Sequence, residues 1–120
     1  MSQRVGVVGC GRWGSKHLRA LECLAMEADI ECIVACDVNP IALARVENNR
    51  VVLHNNPHTL VEQFDLDSVI VATPNETHYE LGTMFLNKGV NVFLEKPIAT
   101  TFDDASSLVS TSVHEGKTLK

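Results

Sequence analysis

Short apolar runs alternate along the chain with stretches in which apolar residues recur at helical spacing. Residues 5–8, 30–36, 51–53, 68–72 and 91–94 are compact and almost continuously hydrophobic. That is the pattern of strands buried on both faces of a parallel sheet. Between them, Leu18, Leu21, Ala25 and Ala28 form one helical stripe, and Leu81, Met84 and Phe85 another. Asn39-Pro40 and Asn56-Pro57 each pair an N-cap residue with a proline suited to the first helical turn. Thr100-x-x-Asp103 has the form of a capping box with Asp in place of Glu. It predicts a last helix carrying Ala105, Leu108, Val109 and Val113. Gly89 and Gly116 stand where C-terminal helix caps belong.

This alternation, with short connections and no repeat, linker or low-complexity tract, predicts a single α/β domain over residues 1–120. The expected architecture is a doubly wound parallel sheet of the Rossmann type, with right-handed crossovers. Residues 117–120 read as the start of another strand, so the chain is expected to be a cofactor domain that stops at its own boundary.

Composition narrows the partners. The net charge is −5 and the basic residues are scattered, so no footprint for nucleic acid or an anionic membrane is expected. No apolar stretch approaches the roughly 20 residues of a membrane span, and the N-terminal residues show no basic region followed by an apolar run. A soluble, cytoplasmic protein is the expectation. The four cysteines include no C-x-x-C. Cys10 falls in a glycine turn and Cys23 on a helix, while Cys32 and Cys36 share one strand face, too far apart to bond each other. Cys23, Cys32 and Cys36 are therefore expected to pack in the core as small hydrophobes. The histidines show no zinc-ligand spacing, and no metal is expected.

The chemistry concentrates at strand ends. Gly9-Cys10-Gly11-Arg12-Trp13-Gly14 follows the first apolar run directly, and Asp37 ends the second, 23 residues beyond Gly14. Glycines in the spacing G-x-G-x-x-G let a strand turn sharply into a helix whose N–H groups meet a pyrophosphate. A carboxylate at the end of the next strand can accept from an adenosine ribose. Val38 and Asn39 follow Asp37, with no adjacent arginine to receive a 2′-phosphate, which favours NAD over NADP. Asp37 could instead only cap the turn into Pro40. Arg12 could neutralise phosphate charge, and Trp13 could offer its backbone N–H to phosphate while its ring packs on the cofactor or a nearby loop. Thr73-Pro74-Asn75-Glu76-Thr77-His78 lies at a third strand end, where ligand contacts gather in open α/β sheets. Thr73 and Asn75 supply short polar groups, and His78 either touches the cofactor or bonds near the helix start. Glu95-Lys96-Pro97 closes a fourth strand on the same edge. The pair could be a solvated charged turn, or Lys96 could polarise a substrate oxygen or share in its proton transfer. Pro97 fixes that turn, through a cis bond in one version of it.

Together these segments resemble the N-terminal half of the glucose-fructose oxidoreductase/inositol dehydrogenase/rhizopine catabolism (Gfo/Idh/MocA) dehydrogenases. The matching pieces are residues 5–14 with His17, Ala35-Cys36-Asp37-Val38-Asn39, residues 71–78, and Glu95-Lys96-Pro97-Ile98-Ala99. The Glu-Lys-Pro segment is the most specific of them. The resemblance implies a nicotinamide-dependent oxidoreductase that oxidises a hydroxyl of a sugar, cyclitol or nucleotide sugar. It makes Lys96 the catalytic lysine, sets Glu95 near the nicotinamide ribose, and lines the cofactor cleft with Thr73, Pro74, Asn75 and His78. Members of that family continue into a second domain with an open antiparallel sheet, which carries the substrate pocket and further acid/base residues and usually the oligomer contacts. This chain is expected to lack that domain. It is expected to bind cofactor without turnover and to be monomeric although its parent is a homo-oligomer. Residues 46–56 show little of the family pattern. The alternatives are a stand-alone NAD(H)-binding redox sensor, and another dehydrogenase family of the same fold, of homoserine or dihydrodipicolinate type.

Overall fold

The continuously apolar runs become strands of one parallel sheet. The computed structural model describes residues 2–46 and 50–120. Its elements, in order, are β1 (Gln3–Val8), α1 (Arg12–Leu24), β2 (Ile30–Cys36), α2 (Pro40–Ala44), β3 (Val51–His54), α3 (Leu60–Phe64), β4 (Ser68–Val71), α4 (His78–Asn87), β5 (Asn91–Leu94) and α5 (Phe102–Glu115). A 3₁₀ turn, Asn75–Thr77, leads into α4. The strands run in the order β3-β2-β1-β4-β5, every pair parallel. From β1 the chain winds outward through β2 and β3, then crosses back to β4 and β5. The direction of winding therefore reverses between β1 and β4. In open α/β sheets that reversal opens a crevice at the carboxyl ends of the strands.

Period-two alternation along the strands feeds two cores. Val8, Val34, Cys36, Val69, Val71, Val92 and Leu94 face Leu60, Leu81, Phe85, Leu86 and Leu108 of α3, α4 and α5. Val5, Val7, Ile33 and Ala35 face Leu18 and Leu21 of α1 on the other side. The predicted start of a further strand is also present. Leu119 bridges Val92 in parallel, and Lys120 N–H donates to Val92 O at 3.0 Å.

Several local expectations shift. Helix α1 ends at Leu24, so Ala25 is its C-cap and Ala28 lies beyond it, exposed. Asn39 caps α2 as predicted, its side chain accepting from Ile41 N–H at 2.9 Å. Asn56 does not cap a helix. Its side chain accepts from His58 N–H in a local turn, and α3 starts only at Leu60. The last helix is capped by Thr101, whose hydroxyl accepts from Asp104 N–H at 3.1 Å, one residue later than Thr100 and Asp103 suggest. Gly89 and Gly116 take φ of +80° and +64°, as helix-ending glycines do. Along α5 only Leu108 is buried; Val109 and Val113 are exposed. Cys36 is buried and Cys32 partly so, but Cys23 is exposed and packs in neither core. Its helix turns that position outward, a matter of phase that cysteine's apolar character does not reveal. Of the weakly patterned residues 46–56, residues 47–49 lie outside the described residues, while 51–54 pair with β2 as β3. Among the described residues no helix is long and apolar enough to cross a membrane.

Candidate functional site

Three glycines turn β1 into α1, each for its own reason. Gly9 has φ +93°, and a Cβ there would stand 2.7 Å from Ala72 O. A Cβ on Gly14 would fall 1.6 Å from Gly9 O, so α1 can sit on the turn only without it. A Cβ on Gly11 would meet nothing within 4 Å. The protein's own packing demands the first and third glycines, whereas the second leaves space open at the mouth of the helix. No side chain caps α1 and no acidic residue occupies its first turn. Its leading N–H groups are left to meet an anion. Arg12 is exposed at the same turn. The Trp13 ring, 54% exposed, lies under the Lys16 ammonium at 4.3 Å from the ring centroid, on the helix surface and outside both cores.

Asp37 reaches back to this turn. Its Oδ2 accepts from Cys10 N–H at 2.8 Å, and its Oδ1 accepts from Asn39 N–H at 2.9 Å. Two of the roughly four acceptor positions of a carboxylate are used, and the rest remain for a ligand hydroxyl. The capping and ligand-facing roles are thus compatible. Burial, with Asp37's charge second, pushes the Cys10 thiol up to about 11. Burial also raises Cys36 to about 12, helped by Cys10 and Asp37. Both thiols stay neutral near pH 7, adding neither charge nor a nucleophile beside the turn.

A cleft of about 500 Å³ opens at the carboxyl ends of β1, β2 and β4. It brings together Gly9, Gly11, Asp37, Thr73 and Pro74 of the predicted residues. It also takes in Val38, Pro57, His58, Thr77, Glu80 and Leu81, none of which the sequence had assigned to the site, although Thr77 lies in the segment it singled out. Pro57 and His58 follow the end of β3, so the strand-end rule could have found them; Glu80 and Leu81 reach the cleft only through the placement of α4. A larger cavity, about 650 Å³, borders the C-terminal end of α1 and the start of β2 but contains none of the predicted residues. Ligands in this architecture gather at the carboxyl ends of strands, so the smaller cleft is the candidate.

Glu95, Lys96 and Pro97 lie at the end of β5 on the same sheet edge, outside the lining of the cleft, and the Lys96-Pro97 bond is cis. Lys96 is exposed. Glu95 N–H donates to Val71 O at 3.0 Å, and Glu95 Oε1 lies 2.5 Å from His17 Nε2. Asn75 is exposed in the 3₁₀ turn. His78 is fully buried and does not line the cleft. Its Nδ1 lies 2.8 Å from Pro97 O and its Nε2 3.0 Å from Thr73 O.

Known proteins share this arrangement. Residues 3–120 match the model of the Gfo/Idh/MocA family, described as an oxidoreductase family with an NAD-binding Rossmann fold. Inositol 2-dehydrogenase 2 of Saccharopolyspora erythraea is 31% identical over 119 residues, covering 99% of this chain and 35% of that protein. The rhizopine catabolism protein MocA of Rhizobium meliloti is 32% identical over 104 residues, covering 85% of this chain and 31% of its own. The WlbA dehydrogenase of Chromobacterium violaceum, solved with NADH and UDP-GlcNAcA, superposes with a TM-score of 0.89 at 34% identity. That match covers 98% of this chain and 34% of WlbA. The chain thus spans about a third of the length of the relatives it matches. With its glycine turn, strand-end carboxylate and 3-2-1-4-5 sheet, the chain belongs to the Gfo/Idh/MocA oxidoreductase family, of which it carries the NAD-binding Rossmann domain.

Proposed function

We propose that residues 1–120 form the cofactor-binding domain of an NAD-dependent dehydrogenase that oxidises a hydroxyl of a sugar, cyclitol or nucleotide sugar. The observation that carries the reading is the convergence of Gly11, the uncapped start of α1, Asp37, Thr73 and Lys96 on one edge of the sheet. The residues fit the cofactor. Gly11 leaves an empty side-chain volume, α1 leaves anion-seeking N–H groups, and Asp37 keeps unused acceptor positions. In this reading Asp37 holds the adenosine ribose over β2, the start of α1 with Arg12 and Trp13 N–H holds the phosphates, and Thr73, Pro74 and Asn75 border the path. Glu95 and Lys96, at the end of β5 on the same sheet edge, would border the cofactor's nicotinamide half. Bound nicotinamide supplies hydride exchange at its ring. Lys96 positions the substrate oxygen and eases its proton transfer. The inositol and nucleotide-sugar dehydrogenases among the relatives support this substrate class, and nothing among them favours a non-catalytic sensor.

The relatives are about three times as long, which supports a second, substrate-bearing domain in the working enzyme. Donor and acceptor must be held in near-attack geometry. The 120-residue chain is therefore expected to bind NADH and turn over nothing. In the enzyme that joins this domain to its substrate domain, Lys96→Ala should lower kcat roughly 10²- to 10⁴-fold and weaken NADH binding far less than that. Turnover that survives the substitution would remove Lys96 from the chemistry. Turnover by the 120 residues alone would overturn the two-domain reading.

A further inference from the structure

Two histidines that stand outside the cleft hold the turn bearing Lys96 from opposite faces of the sheet. On the α1 face, His17 places Nε2 2.5 Å from Glu95 Oε1, with its ring edge-on to Phe93 at 5.6 Å. On the α4 face, His78 is 0% exposed and lies between two backbone carbonyls, Pro97 O at 2.8 Å and Thr73 O at 3.0 Å. One histidine therefore grips the residue before Lys96, and the other grips the residue after it. None of these bonds uses the Lys96 ammonium.

Both rings pack, His17 edge-on to Phe93 and His78 in full burial, and both also meet polar atoms of the turn. A polar ring buried completely costs free energy unless its nitrogens find partners. Both partners of His78 are carbonyl oxygens, so a ring with one N–H donates to only one of them; with that N–H on Nδ1 it donates to Pro97 O in the loop after β5 and packs against Thr73 O in the loop after β4. His17 sits one turn beyond Gly14 on the helix whose start faces the phosphates. A histidine N–H donating to a carboxylate is a charge-assisted hydrogen bond, among the stronger side-chain contacts. The helix that holds the phosphates and the brace on Glu95 are thus one rigid element.

We propose that His17 and His78 are positioning residues: they bracket the Glu95-Lys96-Pro97 turn and fix where Glu95 and Lys96 stand against the nicotinamide half of the cofactor. The proposal rests on the cofactor reading above. Without the bracket, the turn would be held by the Glu95 N–H bond to Val71 O at its start and by the packing of Ile98 and Ala99 on the core at its end. A misplacement of about 1 Å in such a site costs on the order of a hundredfold in rate.

The test compares NADH with ADP-ribose, which keeps the adenosine and both phosphates but lacks nicotinamide. The 120-residue chain and its variants are titrated with each by calorimetry, beside thermal melts. His17→Leu should weaken NADH about tenfold while ADP-ribose stays within about a factor of two. His17→Gln, which returns an amide donor to Glu95, should recover most of the NADH affinity. Equal losses for both ligands would mean that His17 only maintains the fold. No loss for either, or a Gln variant no better than Leu, would likewise overturn the bracket. His78→Gln, whose amide reproduces Nε2 but not the Nδ1 that meets Pro97 O, should show the same selective loss in a variant whose melt matches the parent; His17, being partly exposed, decides the matter if His78→Gln does not fold. A parent chain that binds neither ligand would overturn the cofactor reading and the bracket with it. A parent that binds both, with parallel losses in the variants, would overturn the bracket alone.

Discussion

Gly11 and Gly14 are separated by one helical turn, yet the structure gives them different reasons to lack a side chain. At Gly14 a methyl group would overlap Gly9 O, so Gly14→Ala must push α1 off the turn. A cost of roughly 2–4 kcal/mol, read from the urea midpoint, is expected of such overpacking against backbone. At Gly11 a methyl group meets open space and the backbone is not left-handed. Gly11→Ala should therefore leave stability within about 0.5 kcal/mol of the parent and still weaken NADH binding, because the space it fills is the ligand's. Stability loss at Gly11, or full NADH affinity in Gly11→Ala, would contradict that division. Both glycines are plain in the sequence; that only one of them serves the ligand is not. The same holds at Asp37. Spacing alone identifies it, but only the structure reveals that one oxygen is already engaged by Cys10 N–H.

Among elements, the strands were the most legible and the helix ends the least. A strand buried on both faces must be apolar at nearly every position, so residues 30–36 announce themselves and agree with β2; residues 91–94 agree with β5 in extent, although one face of it stays open, with Phe93 41% exposed. A cap depends on which of two neighbouring hydroxyls points into the helix. Thr100 and Thr101 are both threonines followed three residues later by aspartate, and their sequence cannot separate them. The observed bond from Asp104 N–H to Thr101 Oγ1 does. Thr101→Ala should cost about 1 kcal/mol of stability and Thr100→Ala close to none, as chemical denaturation would read. Equal costs would refute the assignment. Val109 and Val113 mislead in a related way: helical spacing places them near Leu108, but only Leu108 finds a sheet face to cover.

At the scale of the whole molecule, the order 3-2-1-4-5 does what no single motif can. It sets Asp37 on one side of the glycine turn and the Glu95-Lys96 turn on the other, at the ends of β2 and β5. Motifs 58 residues apart in sequence, Asp37 and Glu95, thereby come to border one edge. Strand content and α/β class could be read from hydrophobic period, but the order could not, since parallel strands pair over long separations that local pattern does not encode. That is also why His58 and Glu80 escaped the sequence, and why it named His17 and His78 without placing them around Lys96. The central claim is that this edge holds NAD through its glycine turn and its strand-end carboxylate. The most direct test is calorimetric titration of the 120-residue chain, and of its Asp37→Ser variant, with NADH and separately with NADPH. The account predicts saturable binding by the parent with NADH at least about tenfold tighter, as expected for a carboxylate facing a 2′-hydroxyl over a 2′-phosphate. Asp37→Ser should close that gap. Tighter NADPH in the parent, an unchanged ratio in Asp37→Ser, or a folded chain that binds neither cofactor would contradict it.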